Sequence, residues 1–86
     1  MKTIQEHYKR LRHTDLDRWN EMNATLARQS INADSNCLMY FERTVLRKER
    51  AGGVDLRTLP FAIADALVTF LGFSLADIRS NTIPDA

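Results

Sequence analysis

Leu59–Phe73 reads LPFAIADALVTFLGF, and within it only Asp65 and Thr69 carry polar side chains. Ser74-Leu75-Ala76-Asp77-Ile78 closes the stretch. A helix on the surface of a protein shows an apolar stripe against a wide polar side. Here Phe61, Ile63, Ala64, Leu67, Val68, Phe70 and Leu71 leave only a narrow strip around Ala62, Asp65, Ala66 and Thr69. Pro60 suits the first turn of such a helix, where its missing donor costs least, and Gly72 suits the end. The spacing therefore predicts a helix over 60–71. In a chain of 86 residues it is either the central buried helix or a self-association surface.

Outward from that stretch, the chain reads as amphipathic helices. Thr3 with Glu6, Thr14 with Asp17, and Ser74 with Asp77 each have the spacing of a reciprocal helix cap. Phe73 before the last cap and Ile78 after it are placed as a hydrophobic staple. A first helix over 4–12 puts Ile4, Tyr8 and Leu11 on one face, and a second over 15–29 buries Leu16, Trp19, Met22 or Asn23, and Leu26. Residues 30–35 read as a turn. A third helix over 35–51 then carries Cys37, Leu38, Phe41 and Val45 inward, until Gly52-Gly53 ends it. Residues 55–59 form a loop or a short helical turn, and a short fifth helix follows over 75–81. Pro84 and the last two residues are expected to fray. No segment alternates apolar and polar residues for long, and no Asn-Gly or Asp-Gly pair marks a hairpin, so strands are not expected. The fold class is all-α: a compact bundle of four to five short helices around the nearly all-apolar helix at 60–71, in a single helical domain over 1–86.

A chain of this length buries roughly 60–65% of its extended surface, which gives a real but thin core. A partner or a second copy would help to stabilise it. Twelve Lys and Arg stand against eleven Asp and Glu, a formal charge of +1. Residues 1–30 hold six basic and four acidic groups, 31–57 five and four, and 58–86 one and three. That is a mildly basic front and a mildly acidic end, well short of the dense basic stripe of a committed DNA binder. One cysteine, Cys37, excludes an intrachain disulfide framework and points to a reducing compartment. The N-terminal residues MKTIQEHYKR offer no apolar run for a signal peptide, and the longest apolar region falls short of the roughly twenty residues that span a bilayer. A cytoplasmic protein with no membrane association is expected.

Leu71-Gly72-Phe73-Ser74-Leu75-Ala76-Asp77-Ile78-Arg79 resembles a string found in MerR-type transcription regulators, LGFSL followed by a variable residue, an acid, Ile and Arg. Asp55-Leu56 through Leu59 and Phe61 resembles the segment leading into it. In that family the string lies after the winged DNA-reading unit. The N-terminal helix-turn-helix and its arginine-tyrosine signature have no counterpart here. The resemblance thus implies a capped turn between two helices and lends no functional residues.

Chemistry finds little footing. His7 and His13 are six apart and face opposite sides of a helix, and Asp15 and Asp17 are too close in sequence to share a face. Cys37 falls on an apolar helix face, where a thiol is buried and inert. No HExxH, paired CxxC or glycine-rich phosphate loop occurs. No catalytic residue, metal ligand or cofactor is assigned, and an enzyme is not expected.

The binding candidates are more specific. Arg43, Arg47 and Arg50 fall at i, i+4 and i+7 on one flank of the third helix, with Lys48 beside them. Met39 and Tyr40 fall away from the inward line, and Tyr and Met beside Arg is a composition that interfaces favour. Phe70 and Phe73 are candidate anchors on the apolar stretch. The leading reading is a non-catalytic protein-binding adaptor, inhibitor or regulator that acts through an apolar patch flanked by basic residues. It would act on a larger protein partner, as a homodimer. Met39, Tyr40, Arg43, Arg47, Arg50, Phe70 and Phe73 are its contact residues. The alternative is a small nucleic-acid-binding transcription regulator whose C-terminal segment, 60–81, is helix-turn-helix-like. Lys9, Arg10, Arg12, Arg43, Arg47, Arg50 and Arg79 would then meet the phosphates.

Overall fold

The computed structural model describes residues 3–32 and 35–85. Ala33 and Asp34, at the tip of the expected turn, and Ala86, in the expected frayed end, lie outside the described residues. The elements run α1 (Ile4–Thr14), α2 (Leu16–Arg28), β1 (Ser30–Asn32), β2 (Ser35–Asn36), α3 (Cys37–Tyr40), a π-helical turn (Phe41–Val45), α4 (Leu46–Arg50), a 3-10 turn (Leu56–Thr58), α5 (Phe61–Leu71) and α6 (Leu75–Arg79). α3, the π turn and α4 form one continuous rod, so the architecture is an all-α bundle of about five short helices. Its radius of gyration is 12.0 Å, close to the roughly 12 Å that a compact chain of this length adopts.

α1 and α2 form a hairpin whose corner is a single residue. The sequence places the second cap at Thr14, but α1 continues through Thr14, whose hydroxyl donates to the Arg10 carbonyl at 2.9 Å. Asp15 takes the corner instead. Its amide closes α1 on the Leu11 carbonyl, and its carboxylate accepts the Arg18 amide at 3.1 Å to open α2. Asp is the stronger cap of the two, which accounts for the shift of one residue. Leu16, expected inside, sits beside this corner and is 54% exposed.

Two features of 30–36 depart from the sequence reading. Ser30 pairs with Asn36 and Asn32 with Ser35 in a minimal antiparallel ribbon, where only a turn is expected. The rod then starts at Cys37 rather than at 35, and Asn36 caps it, accepting the Met39 amide at 2.9 Å.

The rod itself is not a regular α-helix. The Leu46 amide bonds to the Phe41 carbonyl, five residues back, so one extra residue is accommodated in that turn. In a straight helix Lys48, seven positions from Phe41, would return to the same inward side after about two turns. The wide turn sets every later residue back by about 100°. Leu46 therefore packs in the core beside Phe41 and Val45, Glu49 turns inward, and Lys48 stays in solvent.

Glu49 then does something that only the folded chain shows. Its carboxylate accepts the amides of Ile4 at 2.6 Å and Gln5 at 3.0 Å. Thr3 and Glu6 cap each other as the sequence predicts, at 3.1 Å in both directions. All the amides at the start of α1 that lack a helical acceptor are thereby satisfied, and a negative charge sits at the positive end of the helix.

The core joins Ile4 and Tyr8 of α1, Met22 and Leu26 of α2, Cys37, Phe41, Val45 and Leu46 of the rod, Leu56, and Ile63, Ala66, Leu67 and Leu71 of α5. α5 buries one face and leaves another open. Ala66, read as part of the polar strip, is buried, whereas Phe61 at the first position is 86% exposed. The left-handed Gly72 (φ 80°) brings its own amide and that of Phe73 onto the Leu67 carbonyl, a conformation in which a side chain would be strained. Ser74 and Asp77 then form the expected reciprocal cap of α6. The C-terminal segment is tied down, contrary to expectation. His7, buried on α1, donates Nε2–H to the Pro84 carbonyl at 2.6 Å and meets the Phe73 ring edge-on at 5.4 Å. Asn81, in the left-handed region at φ 57°, accepts the Leu56 amide at 2.7 Å and so joins the 3-10 turn to the end of α6.

Glu49→Ala should remove both long-range cap bonds and lower stability by about 2 kcal/mol, as for charged hydrogen bonds that leave partners unmet. Glu49→Gln keeps one acceptor and should cost about half as much. Urea denaturation would show the midpoint fall with an unchanged slope. Equal stability in all three proteins would mean that the cap is not formed.

Candidate binding face

The rod's outward flank is the most developed surface. Arg43, Thr44, Arg47, Lys48 and Ala51 line one shallow depression of about 350 Å³. A second, of about 270 Å³, adjoins it and shares Thr44 and Lys48 as a wall. Tyr40, Val45, Gly53, Val54, Asp55, Thr58 and Leu59 complete the second. The π turn presents Arg43 and Thr44, α4 presents Arg47 and Lys48, and Ala51 follows at the end of the rod. The loop after Gly52-Gly53, held by the 3-10 turn, presents the second.

The π turn decides which cations share this flank. By simple spacing the stripe is Arg43, Arg47 and Arg50. Setting residues after the turn back by one position takes Arg50 off that line and brings Lys48 onto it. Arg43, Arg47 and Lys48 are all exposed, and none forms an ion pair with a described residue. Asp55 is the one carboxylate among the lining residues, and it is already engaged. Arg57 donates to it from Nε at 3.1 Å, Nη2 at 3.2 Å and its own amide at 3.0 Å. These side-chain and backbone bonds from Arg57 hold the Asp55 carboxyl below its usual range. The flank is left with a net positive surface.

The other expected contact residues are dispersed. Met39 is exposed on α3, and Tyr40 is half-buried in the second depression. Phe70 is half-buried under Arg18, whose guanidinium lies 5.3 Å from the ring centre and donates to the Thr69 carbonyl. Phe73 is 3% exposed and serves the core. Lys9 and Arg12 line a different depression with Gln5, Tyr8, Trp19, Glu42 and Leu46. There Arg12 lies over the Trp19 ring at 5.2 Å, and the buried Trp19 Nε1–H has no acceptor among the described residues. Arg10 borders a fourth hollow with His7, Thr14 and Gly72. Arg79 lies exposed at the end of α6. Spacing alone places Lys48 only beside the stripe and gives Thr44 and Val54 no role, because their grouping depends on the wide turn and on the fold of the following loop.

Among the described residues no group of three or more His, Cys, Asp or Glu is placed to hold a metal ion, and no helix is long and apolar enough to cross a membrane. No protein-family model, curated protein or solved structure matches the chain.

Cys37 lies in the core at 1% exposure, and burial pushes its thiol pKa up. Both effects suppress the thiolate, the reactive form. A colorimetric thiol reagent at neutral pH should label the native chain at least about a hundredfold more slowly than the urea-unfolded chain. Rapid stoichiometric labelling of the native protein would place Cys37 at an accessible surface.

Proposed function

We propose that this chain is a non-catalytic protein-binding module that docks through the outward flank of the rod. The observation that carries the reading is the set of Arg43, Arg47 and Lys48 on one concave surface without carboxylate partners among the described residues. Charges left unpaired on one face steer a partner of opposite sign and set its orientation. Met39 and Tyr40, on the turn before them, supply the apolar contact that cations alone do not. The fold supports this use, since the inward side of the same rod is packed into the core and holds the flank rigidly.

The nucleic-acid reading has weaker support. A protein that tracks a phosphate backbone needs its cations on one continuous surface. Here Lys9 and Arg12 share a depression with Glu42, and Arg10 borders another. The helix-turn-helix-like segment uses its polar groups internally: Asp77 caps α6 and Asn81 holds the Leu56 amide. α6 spans five residues, Leu75–Arg79.

Affinity capture from a lysate of the source organism, with and without nuclease, tests the proposal. The wild-type chain should retain a protein after nuclease treatment, and the R43E/R47E variant should lose at least about nine-tenths of it. Retention of nucleic acid, with any proteins released on digestion, would contradict the proposal.

A further inference from the structure

We infer that the occupant of this flank is an acidic protein segment carrying an apolar side chain next to its carboxylates. The inference rests on the protein-binding reading above and names the chemistry of the partner. The two adjoining depressions differ in charge. On one side of the Thr44–Lys48 wall, Arg43, Arg47 and Lys48 surround a floor left low by Ala51. On the other side, Tyr40, Val54 and Leu59 offer apolar contacts beside the polar Thr44, Thr58 and Asp55, and Gly53, with open space where a Cβ would stand, leaves the mouth clear.

Each half selects one part of the occupant. Guanidinium forks match carboxylates in a two-pronged geometry, and Lys48 adds a point charge beside them. The hollow of about 270 Å³ is below the roughly 300–1,000 Å³ of sites that enclose a small molecule, and suits one side chain of a polypeptide. Asp55 at its edge does not repel an acidic segment as a free carboxylate would, since Arg57 bonds both of its oxygens. A nucleic-acid strand fits less well. The lining offers one aromatic ring, Tyr40, where single strands are gripped by successive stacked bases. The apolar side chain would supply most of the affinity and the cations the orientation and association rate. Binding should weaken as salt rises, because the charged contacts lie in solvent.

The test is an NMR titration of the isotope-labelled chain with a short synthetic peptide of Glu and Asp around one central Leu. The same peptide with Ser in place of Leu and a short single-stranded oligonucleotide are run in parallel. Saturable shifts are expected at the amides of Thr44, Lys48, Gly53 and Val54, with the Ser peptide bound at least about tenfold more weakly. R43E/R47E and Val54→Glu, each with the dispersed spectrum of a folded chain, should each lose peptide binding. Equal affinity for the two peptides would remove the apolar anchor and overturn the inference, as would tighter binding of the oligonucleotide or an absence of shifts on the flank. A protein captured equally by wild-type and R43E/R47E chains would overturn both the flank as docking face and the inference, whereas capture lost in R43E/R47E without peptide shifts on the flank would overturn the inference alone.

Discussion

The Glu49 carboxylate accepts the amides of Ile4 and Gln5 across 45 and 44 positions of sequence, and most of the tertiary arrangement follows from that contact. It fixes the start of α1 against the end of the rod. α1 then lays Ile4 and Tyr8 against Phe41 and holds the C-terminal segment through His7 and the Pro84 carbonyl. A short helix is marginal on its own, since its nucleation is costly and its end amides lack partners. Here the local Thr3–Glu6 box and the distant carboxylate together satisfy the first turn. One acidic side chain thus links local helix formation to packing.

That contact depends in turn on the wide turn at Phe41–Val45. Without the extra residue, Lys48 would point at the core and Glu49 would miss α1. With it, Leu46 and Glu49 face inward while Arg47 and Lys48 face out. The same backbone irregularity that anchors the core therefore assembles the cationic flank. This couples stability and binding physically: the flank cannot be regularised into a straight helix without turning a charge inward, and burying an unpaired charge is strongly unfavourable.

The sequence made the helical class legible because its signals are local. The Thr3–Glu6 and Ser74–Asp77 boxes, Gly72, and the inward run of Ile63, Leu67 and Leu71 all act within one or two turns of chain. What it did not show depends on distance. Glu49 looks like a charge diluting a basic stripe until α1 is placed beside it. His7 has no partner in the sequence reading until Pro84 and Phe73 reach it. Phe61 has the same apolar character as Ile63, but two positions away it lies about 160° round α5 from it, on the open side with Asp65. The binding flank was half legible. Arg43, Arg47, Met39 and Tyr40 follow from helical spacing, but Lys48 replaces Arg50 because spacing alone assumes a regular helix and the rod is not one.

The most direct test of this account is residue-resolved amide hydrogen exchange at the start of α1. First-turn amides of an ordinary exposed helix have no partner and exchange nearly as fast as those of an unfolded chain. With Glu49 in place, Ile4 and Gln5 should be protected to a degree comparable with Tyr8 in the helix interior. Exchange of Ile4 and Gln5 at unprotected rates, with Tyr8 still protected, would show that the carboxylate does not close the helix, and would contradict the link between the wide turn, the core and the binding flank.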